Sequence, residues 1–119
     1  MPLKDQLQRA VRHQQLGEFA QAQHLYQVIL ASHPKQFDAL HLLGVMAKQT
    51  GDPHKAIFYI ERALQVDAQQ PSAQCNIASA YADIGEHQTA LRHYDHALQL
   101  RPDYALAFKV LPRFAHASA

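Results

Sequence analysis

The sequence predicts an all-α fold of stacked helical hairpins, and three features of its 119 residues support this prediction. The first is a repeat, because Gly17, Gly51 and Gly85 recur at an interval of 34 residues. The second is that apolar residues between these glycines are spaced three and four apart, as on one face of a helix. The third is that each glycine interrupts such a pattern near its middle. A period of this length indicates a repeat protein whose unit is a pair of helices.

Two further columns of the repeat fix its phase. Alanine and leucine recur at the same interval, at Ala22, Ala56 and Ala90 and at Leu30, Leu64 and Leu98. The units are therefore 3–36, 37–70 and 71–104, followed by a remnant, 105–119. We expect residues 1–119 to form a single domain, because such units bury their apolar faces only by stacking on their neighbours.

The second unit shows how each pair of helices is built. Its first helical pattern ends at Gly51, because glycine readily takes the left-handed conformation that closes a helix. Asp52 is placed to cap the next helix, and Pro53 occupies its first turn, where a missing N–H is tolerated.

Small residues face each other within the pairs, at Gly44 and Ala78 on first helices and at Ala56 and Ala90 on second helices. They allow a close helix–helix approach. Larger side chains are expected to fill the wider spaces, namely Phe58, Tyr59, Leu91 and Tyr94.

These segments resemble the tetratricopeptide repeat (TPR), a helix–turn–helix unit of 34 residues. The resemblance rests on "LHLLGVMA" (40–47), "KAIFYIERAL" (55–64), "IASAYADIGEHQTALRHYDHAL" (77–98) and "QLRP" (99–102). It implies a TPR-like solenoid, a right-handed superhelical stack of antiparallel hairpins. The first helix departs from the pattern at Arg9, Ala10 and His13, which suits an N-terminal cap that faces water.

The C-terminal remnant is expected to form a short capping helix. Leu106, Phe108, Val110 and Leu111 would cover the last hairpin, and Pro112 would end the helix. Such a short cap would leave part of the last hairpin's apolar surface uncovered. One interpretation is therefore a self-assembling structural module that forms a homo-oligomer through the C-terminal end.

Composition and charge narrow the classes of partner. The chain has 11 basic and 10 acidic residues, a balance that favours neither nucleic acid nor an anionic membrane. Its one cysteine, Cys75, rules out an intrachain disulfide and fits a reducing compartment. No apolar run has the length of a signal peptide or a membrane span. A cytoplasmic location is expected.

Nine histidines raise the hypothesis of a metal site. His93 and His96 lie three apart on one helix, with His87 upstream, but no further ligand joins them at helical spacing. Scattered surface histidines are the favoured interpretation. Cys75 and His41 occupy equivalent slots and raise the hypothesis of a thiol nucleophile, but no group is placed to orient the imidazole. We expect no enzyme activity, no cofactor and no metal.

The resemblance implies a function in protein binding. First helices of the family line a concave groove that holds an extended peptide or a helix of a partner. Carried over slot by slot, the groove would be lined by Leu7, Val11, His41, Leu42, Val45, Lys48, Asn76, Ser79 and Asp83. The wider lining set adds Lys4, Gln8, Asp38, Ser72 and Cys75, and the remnant adds Leu106, Lys109 and Val110. Burial along Leu7, Val11, Leu42 and Val45 would supply affinity, and the polar members specificity. The alternative is that neighbouring repeats or another subunit cover these residues.

Two branches of the family bind in recognisable ways. One grips the terminal carboxylate of chaperone tails, and of the matching slots here (Leu7, Val11, Leu42, Ser72 and Asn76) only Asn76 fits. The other runs a ladder of asparagines along the groove, in repeats attached to O-linked N-acetylglucosamine transferases. Here the slots hold Gln8, Leu42, Asn76 and Val110. The repeat segments of this sequence are still similar to the repeat arms of bacterial proteins of that kind. A repeat arm that presents substrates to a glycosyltransferase domain outside this chain is therefore an alternative function.

Overall fold

The computed structural model describes residues 1–104, which form six α-helices in three antiparallel pairs. The helices are α1 (Leu3–Gln15), α2 (Phe19–Ser32), α3 (Phe37–Gln49), α4 (Pro53–Val66), α5 (Pro71–Asp83) and α6 (His87–Leu100). No strand occurs among these residues. The predicted all-α, TPR-like stack is confirmed, and each pair begins 34 residues after the one before it, at Leu3, Phe37 and Pro71.

The turn inside each pair depends on a glycine with a left-handed backbone. Gly17, Gly51 and Gly85 have φ values of 78°, 83° and 83°. In the second pair the N–H of Asp52 donates to the carbonyl of Ala47 at 2.8 Å, and the N–H of Gly51 donates to that of Lys48 at 3.0 Å. These two bonds are those of a Schellman motif, which satisfies carbonyls at the end of a helix.

The start of α4 follows the prediction. Oδ1 of Asp52 accepts a hydrogen bond from the backbone N–H of Lys55 at 3.1 Å, and Pro53 is the first helical residue. α3 is capped in a related way, because Oε1 of Gln36 accepts from the N–H of Ala39 at 2.7 Å. Side-chain oxygens here satisfy backbone donors that have no partner inside the helix.

The core is built from the predicted small residues and a few large ones. Ala22, Ala56 and Ala90 are fully buried, and the largest buried side chains are Tyr26 and Tyr94. At Gly44 even one methyl group would collide, since a Cβ would lie 2.4 Å from Cγ1 of Ile60 and 3.1 Å from the carbonyl oxygen of Ala56. Gly44 therefore sets the distance between α3 and α4.

The prediction that Phe58 fills space inside the stack is wrong. Its side chain is 55% exposed on α4, where it meets the ring of Tyr59 edge-on at 5.2 Å. The equivalent positions in the other pairs are His24 and Arg92, both exposed. This repeat column faces solvent in all three pairs, and Phe58 is its one apolar member.

Several predictions concern residues outside those that the structure describes. They are the capping helix of the remnant 105–119, its end at Pro112, and the groove positions Leu106, Lys109 and Val110. Self-association through that end and the single-domain organisation of residues 1–119 stay predictions for the same reason.

Candidate functional site

The candidate site is the face formed by α1, α3 and α5, here called the groove face. The first helices of successive pairs are neighbours, with α3 in contact with both α1 and α5. Each predicted groove residue of the described chain lies on one of these three helices. The groove face therefore has an N-terminal half between α1 and α3 and a C-terminal half between α3 and α5.

The N-terminal half contains an open apolar pocket of about 610 Å³. It is lined by Lys4, Leu7, Gln8, Val11, Arg12, Gln15, Asp38 and Leu42. The predicted residues Leu7, Val11 and Leu42 lie together here, and each is half-buried. Lys4 and Arg12 from α1 and Asp38 from α3 supply its charged groups. The arrangement offers an apolar surface with both signs of charge beside it.

The C-terminal half is different, because its polar groups bind each other. Nδ2 of Asn76 lies 2.9 Å from Nε2 of His41, so that the amide donates to the ring nitrogen. Nζ of Lys48 donates to the hydroxyl of Ser79 and lies 3.3 Å from Oδ2 of Asp83. These five residues were predicted to give a groove its specificity, and the structure brings them together as links between α3 and α5.

Val45 joins neither group. It is half-buried on α3 and is not among the residues that line the pocket. The predicted continuous apolar strip along Leu7, Val11, Leu42 and Val45 is therefore confined to its first three members in the pocket itself.

Burial controls the ionisation of His41 and Cys75. Burial lowers the pKa of His41, and the nearby Asp38 opposes this only in part. Cys75 is 1% exposed, and burial raises the pKa of its thiol to about 11. The thiol therefore remains protonated at neutral pH, whereas only the deprotonated thiolate is nucleophilic. The prediction that Cys75 lines the groove is wrong, because its side chain packs in the core with Ala78 and Tyr94.

His93 also has a structural environment. Its ring stacks on that of Tyr81 with centroids 5.6 Å apart and planes at 5°, and Nδ1 lies 2.8 Å from Oε1 of Gln74. Burial is the main cause that lowers the pKa of His93, followed by the charges of His96 and Arg92, while Glu61 opposes them. Within residues 1–104 no three histidine, cysteine or acidic side chains are grouped to hold a metal ion.

A common register joins the polar contacts between neighbouring first helices. Gln14 donates to Gln49 at 3.0 Å, His41 pairs with Asn76 and Lys48 pairs with Asp83, and each pair is 35 residues apart. A side chain thus meets the residue one position beyond its own equivalent in the next unit. The repeat columns, which are 34 apart, could not show these pairs, but a search for complementary groups 35 apart could have found them.

Sequence reasoning missed two lining residues of the pocket, Arg12 and Gln15. Gln15 belongs to the column of Asp83, which was predicted to line the groove, so this column already carried the signal. Arg12 belongs to the column of Met46 and Ala80, which are buried. That column gave no reason to expect an exposed side chain in the first unit.

Comparisons with known proteins agree with this architecture. A family model described as tetratricopeptide repeat matches residues 7–73, more than half of the chain, and a second model of that description matches residues 71–104. None of the helices within residues 1–104 has the length and apolar character that crossing a membrane requires.

Solved structures share the fold. A mutant O-GlcNAc transferase from Thermobaculum terrenum matches 98% of this chain at 29% identity with a TM-score of 0.90. The match covers 22% of the transferase chain, so this chain spans about a fifth of that protein's length. The first TPR domain of Spaghetti (RPAP3), bound to the HSP90 peptide SRMEEVD, matches 94% of this chain and 89% of its own at 14% identity, also with a TM-score of 0.90. A crystal structure of the MamA protein matches 97% of this chain and 63% of its own, at 23% identity and a TM-score of 0.87.

Proposed function

Because the chain belongs to the tetratricopeptide-repeat family, we propose that it is a protein-interaction module that binds a peptide or helix of a partner on the N-terminal half of the groove face. The observation that carries this proposal is the open apolar pocket between α1 and α3. A protein of the same fold, the TPR domain of Spaghetti, has a peptide bound to it. That likeness supports a peptide or protein ligand in general.

The pocket explains how affinity would arise. Its volume of about 610 Å³ accommodates more than one apolar side chain of a partner above Leu7, Val11 and Leu42. Complete burial of one such side chain contributes about 1.5–3 kcal/mol. Lys4, Arg12 and Asp38 stand beside the apolar surface and would orient the polar groups of the partner.

The C-terminal half would contribute less to binding. A partner that bonds to His41, Lys48, Asn76, Ser79 or Asp83 exchanges one hydrogen bond for another, because these groups are already paired. Such an exchange yields little net free energy. We therefore assign affinity to Leu7, Val11 and Leu42, and only a secondary role to the five polar residues and Val45.

The test starts with affinity capture from the native lysate, identification of the bound protein and synthesis of its binding segment. Leu42→Glu should weaken the segment's affinity by about ten-fold or more, since it places a charge in the apolar pocket. Gln27→Glu, on the exposed side of α2, introduces the same charge and should leave the affinity unchanged. Unchanged binding by a folded Leu42→Glu protein would rule out the pocket.

A second function is favoured by one specific observation, the match at 29% identity to part of an O-GlcNAc transferase. In that case the groove face would present substrates to a glycosyltransferase domain outside this chain. The reading frame beyond the codon of Ala119 decides the matter. Continuation into a catalytic domain supports this function, and a stop codon contradicts it.

The chain itself is proposed to catalyse no reaction. The raised pKa of Cys75 and the pairing of His41 with Asn76 leave neither group free to form a nucleophile and its base. Cys75→Ser should therefore leave partner binding and any associated activity unchanged. The cytoplasmic location and the exclusion of nucleic acid stay predictions from the sequence.

A further inference from the structure

The outer face of α4 differs from the corresponding faces of the other two pairs. Phe58, Arg62 and Val66 follow each other at intervals of four and form one stripe, with Phe58 55% and Val66 42% exposed and Arg62 half-buried between them. The equivalent residues of α2 are His24, Val28 and Ser32, and those of α6 are Arg92, His96 and Leu100. Only in α4 does the stripe combine an exposed aromatic ring with an arginine and an aliphatic residue.

Arg62 is held in place by this stripe. Its guanidinium carbon lies 5.6 Å from the centroid of the Phe58 ring, within the range of a cation–π contact. Aromatic residues, phenylalanine among them, and arginine are enriched in the buried centres of protein interfaces. An ordered arginine loses less conformational freedom when it binds a carboxylate than a mobile one does.

A cleft adjoins the stripe. It has a volume of about 510 Å³ and is lined by Pro34, Lys35, Leu40, Arg62, Gln65 and Val66. Leu40 is buried and forms an apolar floor, while Lys35 and Arg62 bring positive charge to the walls. The loop before α3 and the end of α4 thus enclose a space that is apolar below and cationic at its sides.

Glu61 and Asp67, which adjoin the lining residues Arg62 and Val66 in the sequence, form hydrogen bonds with other residues. Glu61 accepts a hydrogen bond from the hydroxyl of Tyr81 at 2.5 Å. Asp67 accepts from the backbone N–H of Gln69 at 2.9 Å and from Nε2 of Gln70 at 2.7 Å. Among residues 1–104, neither Lys35 nor Arg62 forms an ion pair. The cleft therefore has two cations without a carboxylate partner in this part of the chain.

We propose that the Phe58–Arg62–Val66 stripe and the adjoining cleft form a second docking surface, separate from the groove face, for an acidic segment of another protein. An apolar side chain of the segment would enter the cleft above Leu40 and Val66. Carboxylates next to it would pair with Lys35 and Arg62, since arginine forms bidentate bonds with this group. Charge complementarity selects an acidic segment over a basic or purely apolar one.

The experiment uses a phage library of random linear peptides selected on the wild-type protein, with peptides that also bind Arg62→Glu removed. The recovered peptides should carry Asp or Glu next to Leu, Ile or Phe. Arg62→Glu, Lys35→Glu and Phe58→Ala should each weaken their binding by about ten-fold or more. Arg92→Glu, a charge reversal at the position in α6 equivalent to Phe58, is the matched control and should leave binding unchanged.

Exchange of charges gives the sharpest result. A recovered peptide in which lysine replaces the acidic residues should lose binding to the wild type and gain binding to the Lys35→Glu/Arg62→Glu protein. The four substituted side chains are solvent-accessible, and circular dichroism checks that each variant remains folded.

Three outcomes overturn the proposal. One is a selection that yields no peptide sensitive to Arg62. Another is that the peptides bound before the removal step all lose binding to Leu42→Glu but keep binding to Arg62→Glu, because these would occupy the groove face. The third is a dimer, seen by sedimentation, that Arg62→Glu dissociates, because the surface would then join two copies of the chain. Since Leu42 and Arg62 are tested separately, failure here leaves the groove proposal standing.

Discussion

The two halves of the groove face use equivalent positions for opposite purposes. Leu7 and Leu42 line the open pocket between α1 and α3. One repeat later the same two positions hold His41 and Asn76, which bond to each other between α3 and α5. Both halves share α3 as a wall and follow the same backbone pattern. The two halves therefore differ in whether the facing side chains bond to each other within the chain.

The two halves also differ at a further pair of equivalent positions, where each has a polar contact between its two helices. In the N-terminal half Gln14 is buried, donates to Gln49 and accepts a hydrogen bond from the hydroxyl of Tyr26 at 2.7 Å. In the C-terminal half the equivalent link is the pair of Lys48 and Asp83, which is partly exposed. The first interface thus places a buried glutamine at this contact, whereas the second places a lysine and an aspartate there that are partly exposed.

The largest predicted effect is expected from a substitution in α3, the helix that the two halves share. Gly44→Val should lower the free energy of unfolding by about 1–3 kcal/mol, because its Cβ collides with Ile60 and forces α3 away from α4. Urea denaturation measures the change. Gln99→Val, at an exposed position of α6, carries the same β-branched side chain and should cost less than about 1 kcal/mol. A Gly44→Val protein as stable as this control would show that α3 can shift freely.

The next prediction concerns the C-terminal half, here called the closed half because its polar side chains bond to each other. Asn76→Leu places there the residue of the equivalent position, Leu42, and removes the hydrogen bond to the buried His41. An unsatisfied buried group costs about 1–3 kcal/mol, so we expect a loss of this size in urea denaturation. The double variant His41→Leu/Asn76→Leu removes both partners and should recover part of the loss. If the loss in the double variant equals the sum of the losses in His41→Leu and Asn76→Leu alone, the pair has no energetic coupling and does not hold the closed half together.

The sequence could predict features that belong to one repeat unit and not those that join two. The glycine turns, the Asp52 cap and the alanine columns each follow from residues near one another in the chain, and these predictions were correct. The pairing of His41 with Asn76 depends on how two helices align, and the 34-residue columns hide a contact that spans 35. Phe58 was misplaced because its aromatic character was given more weight than the polar residues of its own column.

The third prediction uses pH to destabilise two histidine contacts, that of His41 in the C-terminal half of the groove face and that of His93 on α6. The pKa values of His41 and His93 are lowered in the folded protein, so protonation favours the unfolded chain, where the pKa of histidine is about 6.5. Their full contribution to stability is present above that pH and is lost as the pH falls through the lower, folded-state values. Each histidine can change the free energy of unfolding by at most about 1.4 kcal/mol per pH unit.

Urea denaturation at about pH 7.5 and about pH 5.5 checks this prediction. The wild type should be less stable at the lower pH, and His41→Gln/His93→Gln should lose much of that dependence. The exposed His54→Gln is the matched control and should retain the wild-type dependence. An equal fall in the double variant would assign the effect to other groups.

The smallest predicted effect on stability separates binding from folding. Lys48→Met removes a pair whose acidic partner, Asp83, has a side chain 51% exposed, and exposed pairs contribute about 0–1 kcal/mol. The free energy of unfolding should therefore change by less than about 1 kcal/mol. Yet the substitution removes the cation that links Ser79 and Asp83, and it places an apolar side chain on the surface of the closed half. If internal pairing is what closes this half, a groove-binding peptide should gain contacts there and bind more tightly to Lys48→Met. Unchanged or weaker binding, with the Leu42→Glu effect intact, would show that the closed half is excluded from the site by its shape and not by its hydrogen bonds.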